Sequence, residues 1–158
     1  MQLRGTDIVV DKVRARQNVI SGSGATASLS PLNSGSLVLM DRAAGIIFTL
    51  PVATTANVGM YFDFAITTSV TSNNYKVITG AGTEFLIGGY TNVDTDTANA
   101  VAAFTGNGST HIAVTMNGTT TGGLLGTKLR FTCLSVTRWM VEGIVQGNGT
   151  VATALATS

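Results

Sequence analysis

The sequence is poor in the residues that usually carry chemistry. In 158 residues there is one cysteine, one histidine and one tryptophan, and charged residues make up 11%, well under the usual quarter of a soluble protein. The lone Cys133 rules out an intrachain disulfide and multi-cysteine metal sites. Its setting in the strand-like run TKLRFTCLSV reads as a small buried hydrophobe. Nine basic residues balance eight acidic ones for a net charge of +1, so the concentrated basic face that nucleic-acid binding needs is absent. No apolar run approaches the roughly 18 residues of a membrane span. The opening MQLRGTDIVVDKVRARQ carries charges throughout and has no apolar signal core, so no secretory signal is expected. With so few charges and 19 glycines, the surface must be finished with Thr, Ser, Asn and Gly. Such a surface has little repulsion to oppose association and is common in extracellular or virion-type β proteins.

What is present is strand alternation. In GMYFDFAIT, residues Met60, Phe62, Phe64 and Ile66 share one face, and Tyr61, Asp63, Ala65 and Thr67 share the other. That is the pattern of an antiparallel strand wet on one side. Ile46, Phe48 and Leu50 alternate likewise until Pro51, which cannot donate to a central ladder. SLVLM, YKVIT, EFLIG, AVAAF, HIAVTM, TKLRFTCLSV and RWMVEGIV bring the total to about nine strands. The expectation is an all-β, jelly-roll-like antiparallel sandwich of eight or nine strands, with Phe48, Phe62, Phe64, Phe131 and Trp139 in its core. Lys128 to Val136 and Arg138 to Val145 read as a closing hairpin. The Asn-Gly pairs at 107–108, 117–118 and 148–149 predict turns with two positive φ angles. Residues 1–34, which include the flexible-looking SGSGATAS, read as an extended arm with one or two short strands that docks on a partner instead of forming core. Residues 35–150 form the sandwich, and the small, polar 151–158 form a tail that runs along a neighbour.

Few groups assemble into chemistry. His111 falls on the solvent side of its strand or at the strand start, and no nucleophile elbow accompanies it. GGLLGTK lacks the order of a phosphate loop and no helix follows it, so it reads as a glycine-rich hairpin. Asp94 and Asp96 have calcium-loop spacing but lack the glycine and glutamate of such loops, and a solvated loop is the preferred reading. The remaining carboxylates are scattered singly, leaving no acid–base pair. The Asn-Gly-Ser/Thr triplets are explained as turns. No catalytic residue, metal ligand or cofactor site is assigned. In the arm, Arg4, Lys12, Arg14 and Arg16 alternate with Asp7 and Asp11. Together with Val9, this suits strand addition to a protein partner.

GSLVLMDRAAGIIFTLP, YFDFAITTSVTSNNYKVIT, VDTDTANAVAAFTGNGSTHIAVTMNGTTTGGLLGT and RWMVEGIVQGNGTVATALATS resemble the head decoration, or capsid cement, proteins of tailed bacteriophages. The likeness runs from about Gly22 to the C-terminus, and DRAAG, FTLP and NGTTTGG are its more specific pieces. The resemblance implies a non-enzymatic homotrimer on the outer surface of the virion head, clipped to the major capsid protein. The arm residues Arg4, Asp7, Val9, Lys12, Arg14 and Arg16 are the expected capsid contacts. Neither nucleic acid nor membrane is an expected partner. Two other classes compete with this one. A tail-fibre or glycan-binding β module would need an aromatic groove, for which Tyr61, Tyr75, Tyr90 and Asp94 are the candidates. A small hydrolase is disfavoured by the single histidine.

Overall fold

The computed structural model describes residues 17–96 and 100–158. Alternating side chains bury one face of each strand, and the described residues form twelve strands in two sheets. In chain order these are β1 (Val19–Ser21), β2 (Thr26–Ser28), β3 (Leu37–Met40), β4 (Ile46–Thr49), β5 (Tyr61–Ile66) and β6 (Tyr75–Ile78). They continue with β7 (Phe85–Asp94), β8 (Val101–Thr105), β9 (Ala113–Met116), β10 (Lys128–Ser135), β11 (Arg138–Gly147) and β12 (Leu155–Ala156). The larger sheet has the order β1-β3-β5-β10-β11-β7-β8, and the smaller β12-β9-β6-β4-β2. The all-β sandwich is therefore as expected, and all nine segments read as strands are strands.

The pairing differs from the expectation. Five pairs are antiparallel and five are parallel: β1/β3, β3/β5, β2/β4, β4/β6 and β11/β7. The cause is the route of the chain. From β1 to β7 each successive strand lies in the opposite sheet. Up to β6, strands two apart therefore become neighbours running in the same direction, which accounts for four of the five parallel pairs. The sheets are mixed, not jelly-roll antiparallel. The crossings need tight corners, and Gly45, at φ +77, stands immediately before β4 with its Cα so close to Asn74 that a Cβ would lie 2.6 Å from the Asn74 carbonyl oxygen. Only glycine fits both demands.

Side chains from both sheets meet in one core. Phe48, Phe62 and Phe131 are fully buried and Phe64 is 2% exposed, as the alternation predicts. Phe64 packs edge-on against Phe48 and Phe131, with ring centroids 5.6 and 5.4 Å away, a favoured arrangement of aromatic quadrupoles. Trp139 and Cys133 are also fully buried, and burial raises the Cys133 thiol above its ordinary pKa.

Both termini are more integrated than their composition predicts. Of the stretch read as an arm, residues 17–34 include β1 and β2, an edge strand of each sheet, and Leu29 is a core residue. Gly22 is no linker residue: a Cβ there would meet Ile46 Cδ1. At the other end, β12 pairs with β9 of the same chain. The Asn-Gly corners also differ. Their glycines have positive φ, but their asparagines do not. Asn107 Oδ1 accepts the backbone N–H groups of Ser109, Thr110 and His111, and Asn117 Oδ1 those of Thr119 and Thr121. These are Asx-type loops.

Candidate functional site

The inner face of the large sheet is covered by the small one, whereas no described element covers its outer face. Two cross-strand rows describe it. One runs Ser21, Leu39, Ala65, Lys128, Ile144, Thr91, Ala103. Lys128 is its one charged member, and Ile144 is 52% exposed. The next row runs Val19, Leu37, Asp63, Arg130, Glu142, Gly89, Thr105. Towards β8 this face is apolar and low, for Gly89 and Gly143 carry no side chains and Val101 is 64% exposed. Gly143 has φ +144, and a Cβ would lie 2.2 Å from the Lys128 carbonyl oxygen, so the floor there must stay bare. Lys128, Arg130, Glu142, Ile144 and Gln146 line a depression of ≈ 350 Å³ beside it.

A charged cluster stands in the middle of this face. The sequence reading puts Asp63 on the wet side of β5, yet it is 2% exposed. The Arg130 guanidinium covers it in a bidentate pair, with Nε and Nη2 donating at 2.7 and 2.8 Å. Gln17 Nε2 donates to the same carboxylate at 2.6 Å. The Arg130 hydrogen bonds hold the Asp63 carboxyl below its ordinary pKa, against the opposing effect of burial. Arg130 also lies 4.6 Å over the Tyr61 ring, a cation–π contact. Gln17 is the first described residue. Arg4, Asp7, Val9, Lys12, Arg14 and Arg16 lie outside the described residues.

The other candidates are dispersed. His111 Nδ1 accepts the Asn107 N–H at 3.3 Å within its loop, and the histidine precedes β9 instead of opening it. Of the residues proposed for an aromatic groove, Tyr75, Tyr90 and Asp94 are at most 3% exposed, and burial pushes both phenols above their usual pKa. Only Tyr61 reaches the surface, where Arg130 covers it. The burial of Asp94 also overturns the solvated-loop reading for that residue. GGLLGTK is the connection into β10, with Gly122, Gly123 and Gly126 all at positive φ. Another depression, ≈ 450 Å³, adjoins the small sheet and is lined by Arg42, Lys76, Asn73, Asn74 and Ile47 among others, with neither an aromatic ring nor a carboxylate.

One residue escaped sequence reading altogether. Glu84, before β7, is 1% exposed. Its Oε1 accepts the Ala53 N–H at 2.7 Å and its Oε2 the Trp139 indole N–H at 3.0 Å. The signal was its place two residues before Leu86, which puts it on the same, buried face of the strand. Among the described residues no three His, Cys, Asp or Glu side chains group into a metal-binding set, and no helix is long and apolar enough to cross a membrane. Compared with protein-family models, curated proteins and solved structures, the chain matches none.

Proposed function

We propose that the protein is a structural module of a phage virion that binds the major capsid protein on the outer surface of the head and acts as a homotrimer. The observation that carries this reading is the outer face of the seven-stranded sheet, uncovered by any described element, where Ile144 and Val101 stand exposed around a bare glycine floor. An apolar face of this kind normally marks an interaction site. Val58, Leu134 and Val136 are also large, apolar and at least 41% exposed, leaving further surface for contacts between copies. The titratable groups support a scaffold, since Asp63 and Glu84 are committed to internal hydrogen bonds. Binding to the assembled shell stabilises it by mass action, and three copies on one trimer add by avidity. The arm residues, Arg4 to Arg16, supply polar contacts that salt screens.

The test uses purified full-length protein with a small epitope label, added to phage heads lacking it. Label over the head in negative-stain images, with co-sedimentation of protein and heads, is the expected result. Label at the tail tip would instead favour a receptor- or glycan-binding module. Sedimentation should give a trimer at micromolar concentration, and a stable monomer would remove the trimer from the proposal.

A further inference from the structure

The far end of β7 holds two buried oxygen atoms with no partner, on residues two apart. Asn92 and Asp94 are two residues apart on one strand, so both side chains point to the same face. They are 0% and 2% exposed. Asn92 Oδ1 and Asp94 Oδ2 each lack any hydrogen-bond partner. Buried polar atoms are rarely left so, and the cost is largest for a charged group. The asparagine cannot be rotated to relieve it. Its Nδ2 donates to the carbonyl oxygens of Thr120 and Ala152 at 3.0 and 3.1 Å, and an exchanged amide would set oxygen against two oxygens. Asp94 is held as firmly, because its Oδ1 accepts the Asp96 N–H at 3.0 Å, which leaves Oδ2 as its one free oxygen.

Both orphans belong to residues packed against Gly147. Gly147 is the register partner of Asp94 on β11. A Cβ built on Gly147 would lie 2.8 Å from Asn92 Oδ1 and 3.0 Å from the Thr119 carbonyl oxygen. The missing side chain lets these oxygens pack directly against the β11 backbone. An N–H donor would resolve the orphans, but no donor is aimed there. A positive charge resolves both together, and it also offsets the buried carboxylate.

We propose that this end of β7 binds a hard, oxygen-ligated cation of the calcium class, held by Asp94 Oδ2 and Asn92 Oδ1 in front of Gly147. Calcium accepts carboxylate, amide and carbonyl oxygens together and completes its shell with water. With one free carboxylate the site is weak, in the range of roughly 10⁻⁴–10⁻³ M that such sparsely charged sites show. Magnesium binds more poorly, for it demands near-ideal octahedral geometry and dehydrates reluctantly. The site is independent of the capsid reading, and its occupation ties β7 to the loops that carry Thr119 and Ala152.

Thermal melts of the full-length, chelator-stripped protein test this with calcium chloride, and with magnesium and sodium chloride as controls. At about ten times Kd, calcium should raise Tm by about 3–6 °C, with a smaller effect of magnesium. Terbium should bind in its place and show emission sensitised by Tyr90, two residues before Asn92, displaced by excess calcium. Asp94→Asn should fold and lose both responses. Unchanged melts of the wild-type protein in calcium would overturn the proposal, and so would a full calcium response in Asp94→Asn.

Discussion

Strand β7 starts and ends beside a buried carboxylate, and the two ends are built in opposite ways. Before its first residue, Glu84 spends one oxygen on the Ala53 amide and the other on the Trp139 indole. At its last residue, Asp94 spends one oxygen on the Asp96 amide and leaves the other unpartnered, two residues from Asn92 with its own unpartnered oxygen. Both acids are at most 2% exposed, so burial does not distinguish them. The distinction is whether the fold supplies a donor for every lone pair. A completed set is architecture, joining the start of β7 to β11 and to the loop at Ala53. An incomplete set is an opening for a ligand.

Between these ends lies the hydrophobic centre, which sets the upper scale for any substitution. Phe64→Ala should cost about 3–5 kcal/mol, the sum of lost burial and a cavity that the neighbouring rings Phe48 and Phe131 cannot close. Urea unfolding measures it. A cost below about 1 kcal/mol would mean that the two sheets collapse around the gap, against the close packing of a native core.

At the Glu84 end the expected effect is smaller but still large. Glu84→Gln keeps the shape and gives up one acceptor, so either the Ala53 N–H or the Trp139 N–H faces an amide nitrogen. Leaving a buried donor unsatisfied costs about 1–3 kcal/mol, and about 2 kcal/mol is expected in the same urea experiment. The indole should report it directly, through a change in Trp139 fluorescence in the folded state.

These two sites also divide what sequence reading could see from what it could not. Phe64 was legible because residues 60, 62, 64 and 66 alternate with polar or smaller ones, and a period of two defines a buried face. Alternation carries no information about the strand next door. Nothing in SLVLM or IIFT says that the first joins the large sheet and the second the small one, so the crossing between sheets and the parallel pairs that follow from it were invisible. SGSGATAS was misjudged for a related reason: small residues signal flexibility in isolation, whereas here Gly22 permits close approach to Ile46. The candidate site fared less well. Asp94 was legible by its spacing to Asp96, but its essential neighbour is Asn92, an amide that no motif marks, set against Gly147 from a strand more than fifty residues later. Asp63 was read as solvated because its partner Arg130 arrives from β10.

Asp63 offers an intermediate case, a buried carboxylate completed by a charge instead of by neutral donors. Its folded pKa is depressed, so the stability it adds is present above the unfolded value of about 3.9 and is lost as pH falls through the lower folded value. Asp63→Asn should therefore cost about 1 kcal/mol at neutral pH, the order of one net hydrogen bond. It should also flatten the loss of stability in acid, below about pH 4. Melts of both proteins across that range check it. Curves that stay parallel into acid would mean that Arg130, whose side chain is 43% exposed, leaves the carboxylate unperturbed.

The smallest effect is expected at the Asp94 end, and it is the sharpest test of the difference between the two. Asp94→Asn makes the same exchange of carboxylate for amide as Glu84→Gln, at a comparable burial. In calcium-free buffer the outcome should nevertheless be the reverse. The retained oxygen still accepts the Asp96 N–H, while the new amide nitrogen replaces an unpartnered oxygen and can donate to Asn92 Oδ1. One substitution thus removes an uncompensated buried charge and satisfies a second orphan. Removing such a charge is neutral or stabilising when the space is kept, and a net hydrogen bond contributes about 0.5–1.5 kcal/mol. Stability should therefore hold or rise by about 1 kcal/mol, read as an unchanged or later urea midpoint with the same slope. If Asp94→Asn instead cost about 2 kcal/mol in the absence of calcium, as Glu84→Gln should, the two ends of β7 would be equivalent. The oxygens at Asn92 and Asp94 would then be completed from within the fold, with no vacancy for a cation.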